Sequence, residues 1–300
     1  MRRQFRGQVI DGMLLLDKRS GISSNHALQE VKRLFGAAKA GHTGSLDPLA
    51  SGLLPICFGQ ATKLSQFLLN TDKRYSVDIK LGVSTTTGDA EGDIIARLIV
   101  PELNKLAIKS ILKKFTGDII QIPPMHSALK HDGVRLYELA RKGISVKRKP
   151  RPVTIHELIL VDYQEGLLRL NVYCSKGTYI RSLAEDIGAT IGCGGFVNRL
   201  QRTAVGDFDI SAAIDLETLK LMRTDSDRRN YLLPPDRAVR SMPLLEFSDE
   251  SIFAIRQGQT VLMSNTCAQG LVRLYTEAQE FVGIGEVLSD QKVAPRRLFC

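Results

Sequence analysis

The chain predicts an α+β protein built on a mixed, mainly antiparallel sheet with covering helices. Three observations carry this. Leu168, Leu170, Val172 and Cys174 alternate with Arg169, Asn171 and Tyr173 just beyond a turn at Gly166, which marks a hairpin with Val153–Asp162. Tyr75, Val77, Ile79 and Leu81 alternate with Ser76, Asp78 and Lys80, so that strand buries one face. Strands and helices mix without a strict βαβ rhythm, which argues against a doubly wound parallel sheet.

In chain order, Met13–Asp17 reads as a short buried strand. A turn at Arg19–Gly21 follows, then a helix capped by Ser23 or Ser24 with an apolar stripe of Ala27, Leu28, Val31, Leu34 and Phe35, ended by Gly36. Leu53–Phe58 forms an apolar strand, and Gly59 turns the chain into a helix over Ala61–Leu69. After the alternating strand comes a loop over Ser84–Gly92. A helix opens near Pro101 and carries Leu106, Ile111, Leu112 and Phe115, and Ile119–Ile122 returns as a strand. Beyond the hairpin, a helix from about Ser182 to Ile191 stops at Gly192–Gly195, and a strand spans Phe196–Phe208. Prolines at 234, 235 and 243 mark a linker before a tail of short strands between Gln257 and Leu298. This divides the chain into residues 1–245 and 246–300.

Composition narrows the class. With 300 residues and 43% hydrophobic side chains the chain has ample core. Lys and Arg number 41 against 32 Asp and Glu, a net charge of +9, which favours a polyanionic partner without choosing between RNA, DNA and a membrane surface. No apolar run approaches a membrane span, and the basic start Met1-Arg2-Arg3 leads only to Met13–Leu16, flanked by Asp11 and Asp17. Cys57, Cys174, Cys193, Cys267 and Cys300 form an odd set without C-x-x-C spacing, so neither a disulfide framework nor a zinc site is expected, and a cytoplasmic setting is.

The stretch Gly41-His42-Thr43-Gly44-Ser45-Leu46-Asp47-Pro48-Leu49-Ala50-Ser51-Gly52 is the richest in chemistry. Pro48 disfavours the helical well for Asp47, and Gly41, Gly44 and Gly52 permit turns that other residues resist, so the carboxylate is held in a fixed loop where it suits a nucleophile. The competing reading makes Asp47 the cap of a short helix with Pro48 at its first position, and for the dipeptide alone that reading is the stronger.

Several motifs then occur in an informative order: Leu14-Leu15-Leu16-Asp17-Lys18 with Gly21, the Asp47 stretch, Lys73-Arg74-Tyr75, Thr85-Thr86-Thr87-Gly88-Asp89, Lys176-Gly177-Thr178-Tyr179-Ile180-Arg181 and Leu200-Gln201-Arg202-Thr203. Taken together, and over nearly the full length, the chain resembles the bacterial tRNA pseudouridine-55 synthases, the TruB family. It departs slightly: Arg19-Ser20 replaces the Pro that usually follows the lysine of the first motif, and Ser45 stands where alanine is common. The resemblance implies a sheet of the pseudouridine synthase type, a small PUA-like C-terminal domain, and isomerisation of one T-loop uridine with no cofactor and no metal. By the same resemblance Asp47 is the nucleophile, Arg181 its positioned cation, and Tyr75 a catalytic residue that stacks on the target uracil and helps remove the C5 proton. Tyr179 and Leu200 line the pocket, and His42 fills the space of the extruded base. Asp89 accepts hydrogen bonds from extruded bases, and Lys18 contacts RNA or braces the loop. An Arg181 partner predicts an Asp47 pKa below the ordinary range.

Between residues 121 and 152 the basic residues Lys130, Arg135, Arg141, Lys142, Lys147, Arg148, Lys149 and Arg151 outnumber two acids, Asp132 and Glu138. The segment corresponds to the insertion that folds over RNA in the resembled family, with a solvated charged loop as the plain alternative. Arg256, Arg273, Lys292, Arg296 and Arg297 are candidate phosphate contacts for the acceptor stem. A tRNA-binding chaperone of the same fold without catalysis is the competing function, and Asp47, Tyr75 and Arg181 argue against it. No nucleotide or metalloprotease motif is present, no obligate protein partner is implied, and a monomer is expected.

Overall fold

The computed structural model describes residues 7–263 and 268–299, so the Met1–Arg3 start and the cysteines at 267 and 300 lie outside the described residues. The chain opens with β1 (Gly12–Lys18), α1 (Ser24–Leu34), β2 (Ala40–His42) and β3 (Ser51–Phe58). A 3-10 turn over Gly59–Leu64 runs into α2 (Ser65–Leu69), then come β4 (Lys73–Leu81), the hairpin β5 (Val83–Thr85) and β6 (Ile94–Arg97), α3 (Lys105–Lys113) and β7 (Gly117–Gln121). The basic segment holds only β8 (Lys130–His131), β9 (Val134–Arg135) and α4 (Leu136–Ala140). Then follow β10 (Arg151–Gln164), β11 (Leu167–Cys174), α5 (Ile180–Ile191), β12 (Gly195–Val205), β13 (Phe208–Asp209), β14 (Ile214–Asp215), α6 (Leu216–Leu221) and α7 (Asp225–Arg229). The C-terminal part comprises β15 (Leu244–Phe247), α8 (Asp249–Arg256), β16 (Val261–Leu262), β17 (Gly270–Thr276), β18 (Phe281–Val287) and β19 (Lys292–Leu298).

The large sheet runs in the order β14-β1-β3-β12-β4-β11-β10-β7. Only β1/β14 and β3/β12 are parallel in that path, so the expected mixed, mainly antiparallel sheet is what the residues build. Alternate residues of β1 and β3 feed two cores. Leu14, Leu16, Leu54 and Ile56 face the helices α1 and α5, whereas Met13, Leu15, Leu53 and Cys57 pack with Val239 and with Ile284 of the C-terminal sheet. Burying each such side chain contributes about 1.5–3 kcal/mol.

Several expectations need correction. The helix after Pro101 starts only at its cap Asn104, which accepts from Ala107 N–H, and it buries Ile108 and Leu112 while Leu106 is 79% exposed. The loop over Ser84–Gly92 enters through β5, which pairs with β6. Helix α5 begins at Ile180, which places Arg181 in its first turn. The proline-rich linker is docked: Met13 and Leu233 exchange backbone hydrogen bonds of 2.8 Å, and Ala238 and Val239 are buried. A division after residue 245 would cut β15, which pairs in parallel with β17, so the second sheet starts at Leu244.

Candidate active site around Asp47

No helix follows Asp47. Its carbonyl accepts from Ala50 N–H in a turn, which removes the helix-cap reading. Gly44 and Gly52 take φ of +105° and +104°, whereas Gly41 lies in the β2 ladder with ordinary φ. Gly52 has a second reason to be glycine: it crosses Arg202 in the parallel β3/β12 pair so closely that a Cβ there would sit 2.3 Å from the Arg202 carbonyl oxygen.

The loop is pinned from several directions. Ser23 caps α1, which frees Ser24: its hydroxyl accepts from Leu46 N–H at 2.7 Å and donates to Leu46 C=O at 3.0 Å. Lys18, 1% exposed, donates through Nζ to the carbonyls of Ile22 (2.7 Å), Arg19 (2.9 Å) and Pro48 (3.5 Å), and burial lowers its pKa to about 8. That burial corrects the expectation of RNA contact and leaves the loop-bracing role. Arg202, also 1% exposed, donates from Nε to Leu53 C=O (2.8 Å) and from Nη2 to Gly44 C=O (3.1 Å).

Arg181 completes the arrangement from α5. Its Nε lies 2.9 Å from Asp47 Oδ2, Nη1 donates to Thr87 C=O (3.1 Å) and faces Asp89 Oδ2 at 3.6 Å, and Nη2 donates to His126 C=O (2.7 Å). The Arg181 side chain is 6% exposed and that of Asp47 40%, so the guanidinium is sealed while the carboxylate opens to solvent. A fork of donors fixes both position and orientation of its acceptor. The expected depression of the Asp47 pKa is overturned. Although one side of the carboxylate is open, the protein walls around the rest of it strip away water and push its pKa above the usual aspartate value, more strongly than Arg181 pulls it down, and the charge of Asp89 adds to the rise.

Asp89 is corrected as well. Its side chain is 4% exposed and accepts from the Thr87 hydroxyl and from Glu91 N–H, so it holds Arg181 from the far side and presents nothing to a base. Leu200 is buried opposite Val77, and half-buried Tyr75 stands opposite Arg202 in the β4/β12 ladder. Tyr179 N–H and C=O are both held by the buried side chain of Gln121, at 2.8 and 3.0 Å. His42 is half-buried on β2; its Nδ1 is sealed without a partner, and burial lowers its pKa. The structure thus unites Asp47, Arg181, Asp89, Lys18, Tyr75 and Leu200, with Tyr179 beside Arg181 at the start of α5.

The basic segment meets this cluster through Gln121, which holds Tyr179, and through the His126 carbonyl, which accepts from Arg181. Lys130, Arg141, Lys142, Lys147, Lys149 and Arg151 are exposed, whereas Arg148 is half-buried with its charge toward Glu185. Sequence reasoning missed Ser24, Gln121 and Arg202 as site-builders. Arg202 alone left a signal: it lies two residues from Leu200 and so shares its inward face. Among the described residues no group of three or more His, Cys, Asp or Glu is placed to hold a metal ion, and no helix is long and apolar enough to cross a membrane.

Comparison with known proteins gives a consistent match. Residues 32–180 match the TruB family pseudouridylate synthase N-terminal domain, residues 181–240 the tRNA pseudouridylate synthase B C-terminal domain, and residues 243–299 the C-terminal domain of pseudouridine synthase II TruB. The chain is 51% identical over 298 residues to tRNA pseudouridine synthase B of Nitrosococcus oceani, covering 99% of this chain and 97% of that one. It is 51% identical over 294 residues to the same-named protein of Coxiella burnetii, covering 96% and 94%. In fold it is similar to a solved Cbf5-Nop10-Gar1 complex, with a TM-score of 0.75 at 25% identity over 97% of this chain and 86% of that one.

Proposed function

The chain belongs to the TruB family of pseudouridylate synthases, and from that premise we propose that it converts uridine to pseudouridine in tRNA, at position 55 of the T-loop. The observation that carries this is a half-open Asp47 carboxylate clamped at 2.9 Å by the buried Arg181. Arg181 holds Oδ2, which leaves Oδ1 as the attacking atom. The C1′–N1 bond breaks, the uracil turns, and C1′–C5 forms; C5 gives up a proton and N1 gains one, so atoms balance without a co-reactant. Attack at uracil C6 and attack at ribose C1′ both use the same carboxylate.

A stacked base cannot turn, so the uridine must first be flipped out, at a cost of a few kcal/mol. The Tyr75 ring and Leu200 then receive it, and the His42 ring, kept neutral by burial, occupies the space it leaves. Exposed Lys130, Arg141, Lys142, Lys147, Lys149 and Arg151 grip phosphates of the T-arm. In the C-terminal part Arg273 is half-buried on Met242 C=O, Lys292 pairs with Asp290 and Arg296 with Glu286, so the acceptor-stem contacts fall to exposed Arg256 and to exposed Arg297, whose Nη1 donates only to the adjacent Arg296 carbonyl. The enzyme acts as a cytoplasmic monomer.

The test incubates purified protein with an unmodified T-arm stem-loop and no cofactor, then maps pseudouridine chemically. Product at the T-loop uridine is expected. RNA that is bound but never isomerised would instead favour a chaperone. Truncation after residue 248 is a poor test of the tail, because it strips Ile284 from a shared core; Arg256→Ala with Arg297→Ala leaves that core intact.

A further inference from the structure

The basic insertion leaves and rejoins the large sheet on one rung, where Gln121 at the end of β7 pairs with Arg151 at the start of β10. Gln121 is only 2% exposed, although β7 is the last strand of the sheet. An apolar side chain would fill that place without the cost of drying an amide. The amide is committed at both ends: Tyr179 N–H donates to its Oε1 at 2.8 Å, and its Nε2 donates to Tyr179 C=O at 3.0 Å. Tyr179 is the N-cap of α5 and makes no side-chain capping bond, so Gln121 supplies from another strand the acceptor that a capping box draws from the third helical residue. That third residue, Ser182, donates from Oγ to Ile122 C=O at 3.1 Å, and Arg181 before it donates from Nη2 to His126 C=O at 2.7 Å. Three of the four residues that open α5 are thereby fastened to residues 121–126, a span that Pro123 and Pro124 stiffen. The basic insertion and the guanidinium that clamps Asp47 share one anchor.

We propose that Gln121 is a positioning residue for the reaction, one that locks the first turn of α5 to the base of the basic insertion and so holds the Arg181 guanidinium on Asp47 while the insertion carries RNA. The inference rests on the isomerase reading above. Gln121 touches no reacting atom and acts through Arg181.

The experiment is a double-mutant cycle with Gln121→Met, Gln121→Asn and Arg181→Lys, read by single-turnover kinetics on an unmodified T-arm stem-loop with enzyme in excess. Gln121→Met keeps the length of the side chain and removes both bonds to Tyr179. It is expected to lower the rate at saturating RNA at least about tenfold, with the half-saturating concentration changed less than about threefold. In the Arg181→Lys background the same substitution is expected to cost less than about threefold, because the guanidinium that Gln121 places is already gone. Gln121→Asn carries the amide one methylene short of Tyr179, and is expected to recover only part of the rate. An unchanged rate for Gln121→Met, equal losses in both backgrounds, or a loss confined to RNA binding would overturn the inference. If Gln121→Met does not fold, Gln121→Asn is put through the same cycle under the same criterion. A wild-type protein that makes no pseudouridine sinks the isomerase reading instead, whatever the cycle gives.

Discussion

Residues 41–52 and 121–152 both depend on basic side chains, but use them in opposite ways. Around the first stretch, Lys18, Arg181 and Arg202 are buried and point their donors at carbonyls and at two carboxylates, Asp47 and Asp89, of the molecule itself. Along the second, every one of the eight basic residues except Arg148 stands in solvent, and only Lys130, Arg135 and Arg151 lie on strands. Buried cations with fixed partners set positions to within a hydrogen bond, whereas exposed ones hold a polyanion by summed charge and are screened by salt. Arg181 joins the two stretches, pairing with Asp47 in the first and donating from Nη2 to the His126 carbonyl in the second.

The sharpest way to break this comparison is Asp47→Asn. It is expected to abolish isomerisation, by at least about 10⁴-fold, while tRNA binding by filter retention stays within about threefold. Retained turnover would remove the nucleophile. Arg181→Lys comes next: a point charge cannot serve Asp47, Asp89, Thr87 and His126 together, so kcat should fall about 10²-fold, and near-normal turnover would show the fork to be dispensable.

A smaller effect concerns pH. Asp47 reacts as the carboxylate, and its pKa is raised above 3.8, so kcat/KM should climb with pH and level off through an inflection above the ordinary aspartate value. A plateau already reached at or below that value would contradict the balance of burial and Arg181 described above. The smallest catalytic effect belongs to the exposed stretch. Lys147→Ala with Lys149→Ala should leave kcat at saturating tRNA within about twofold, weaken binding, and reduce the salt slope of log Kd by about one for each phosphate that is no longer neutralised. An unchanged slope would take those lysines off the RNA.

Much of this was legible from local pattern. The alternation in β4 and β11 gives their strands and buried faces, and ordered motifs pointed to Asp47 and Arg181. What was not legible depends on partners distant in sequence. Asp89 looks like a solvated loop acid until β12 is seen bridging its backbone at Val197. Lys18 looks like a surface lysine until the Asp47 loop closes over it, and Arg202 acquires its role only when β12 is laid beside β3 and its donors reach the Gly44 and Leu53 carbonyls. The Asp47 pKa went the other way because a motif reveals the neighbouring cation but not the loss of water.

The tight crossing at Gly52 limits how this loop can be redesigned. With a φ of +104° and the Arg202 backbone where a Cβ would go, position 52 admits no other amino acid without prising β3 from β12. A saturation library aimed at a different nucleobase would waste its diversity there, and also at Ser24, whose hydroxyl grips Leu46 on both sides. Ser45 is the tolerant position, because its side chain faces water two residues before Asp47 and holds nothing in place.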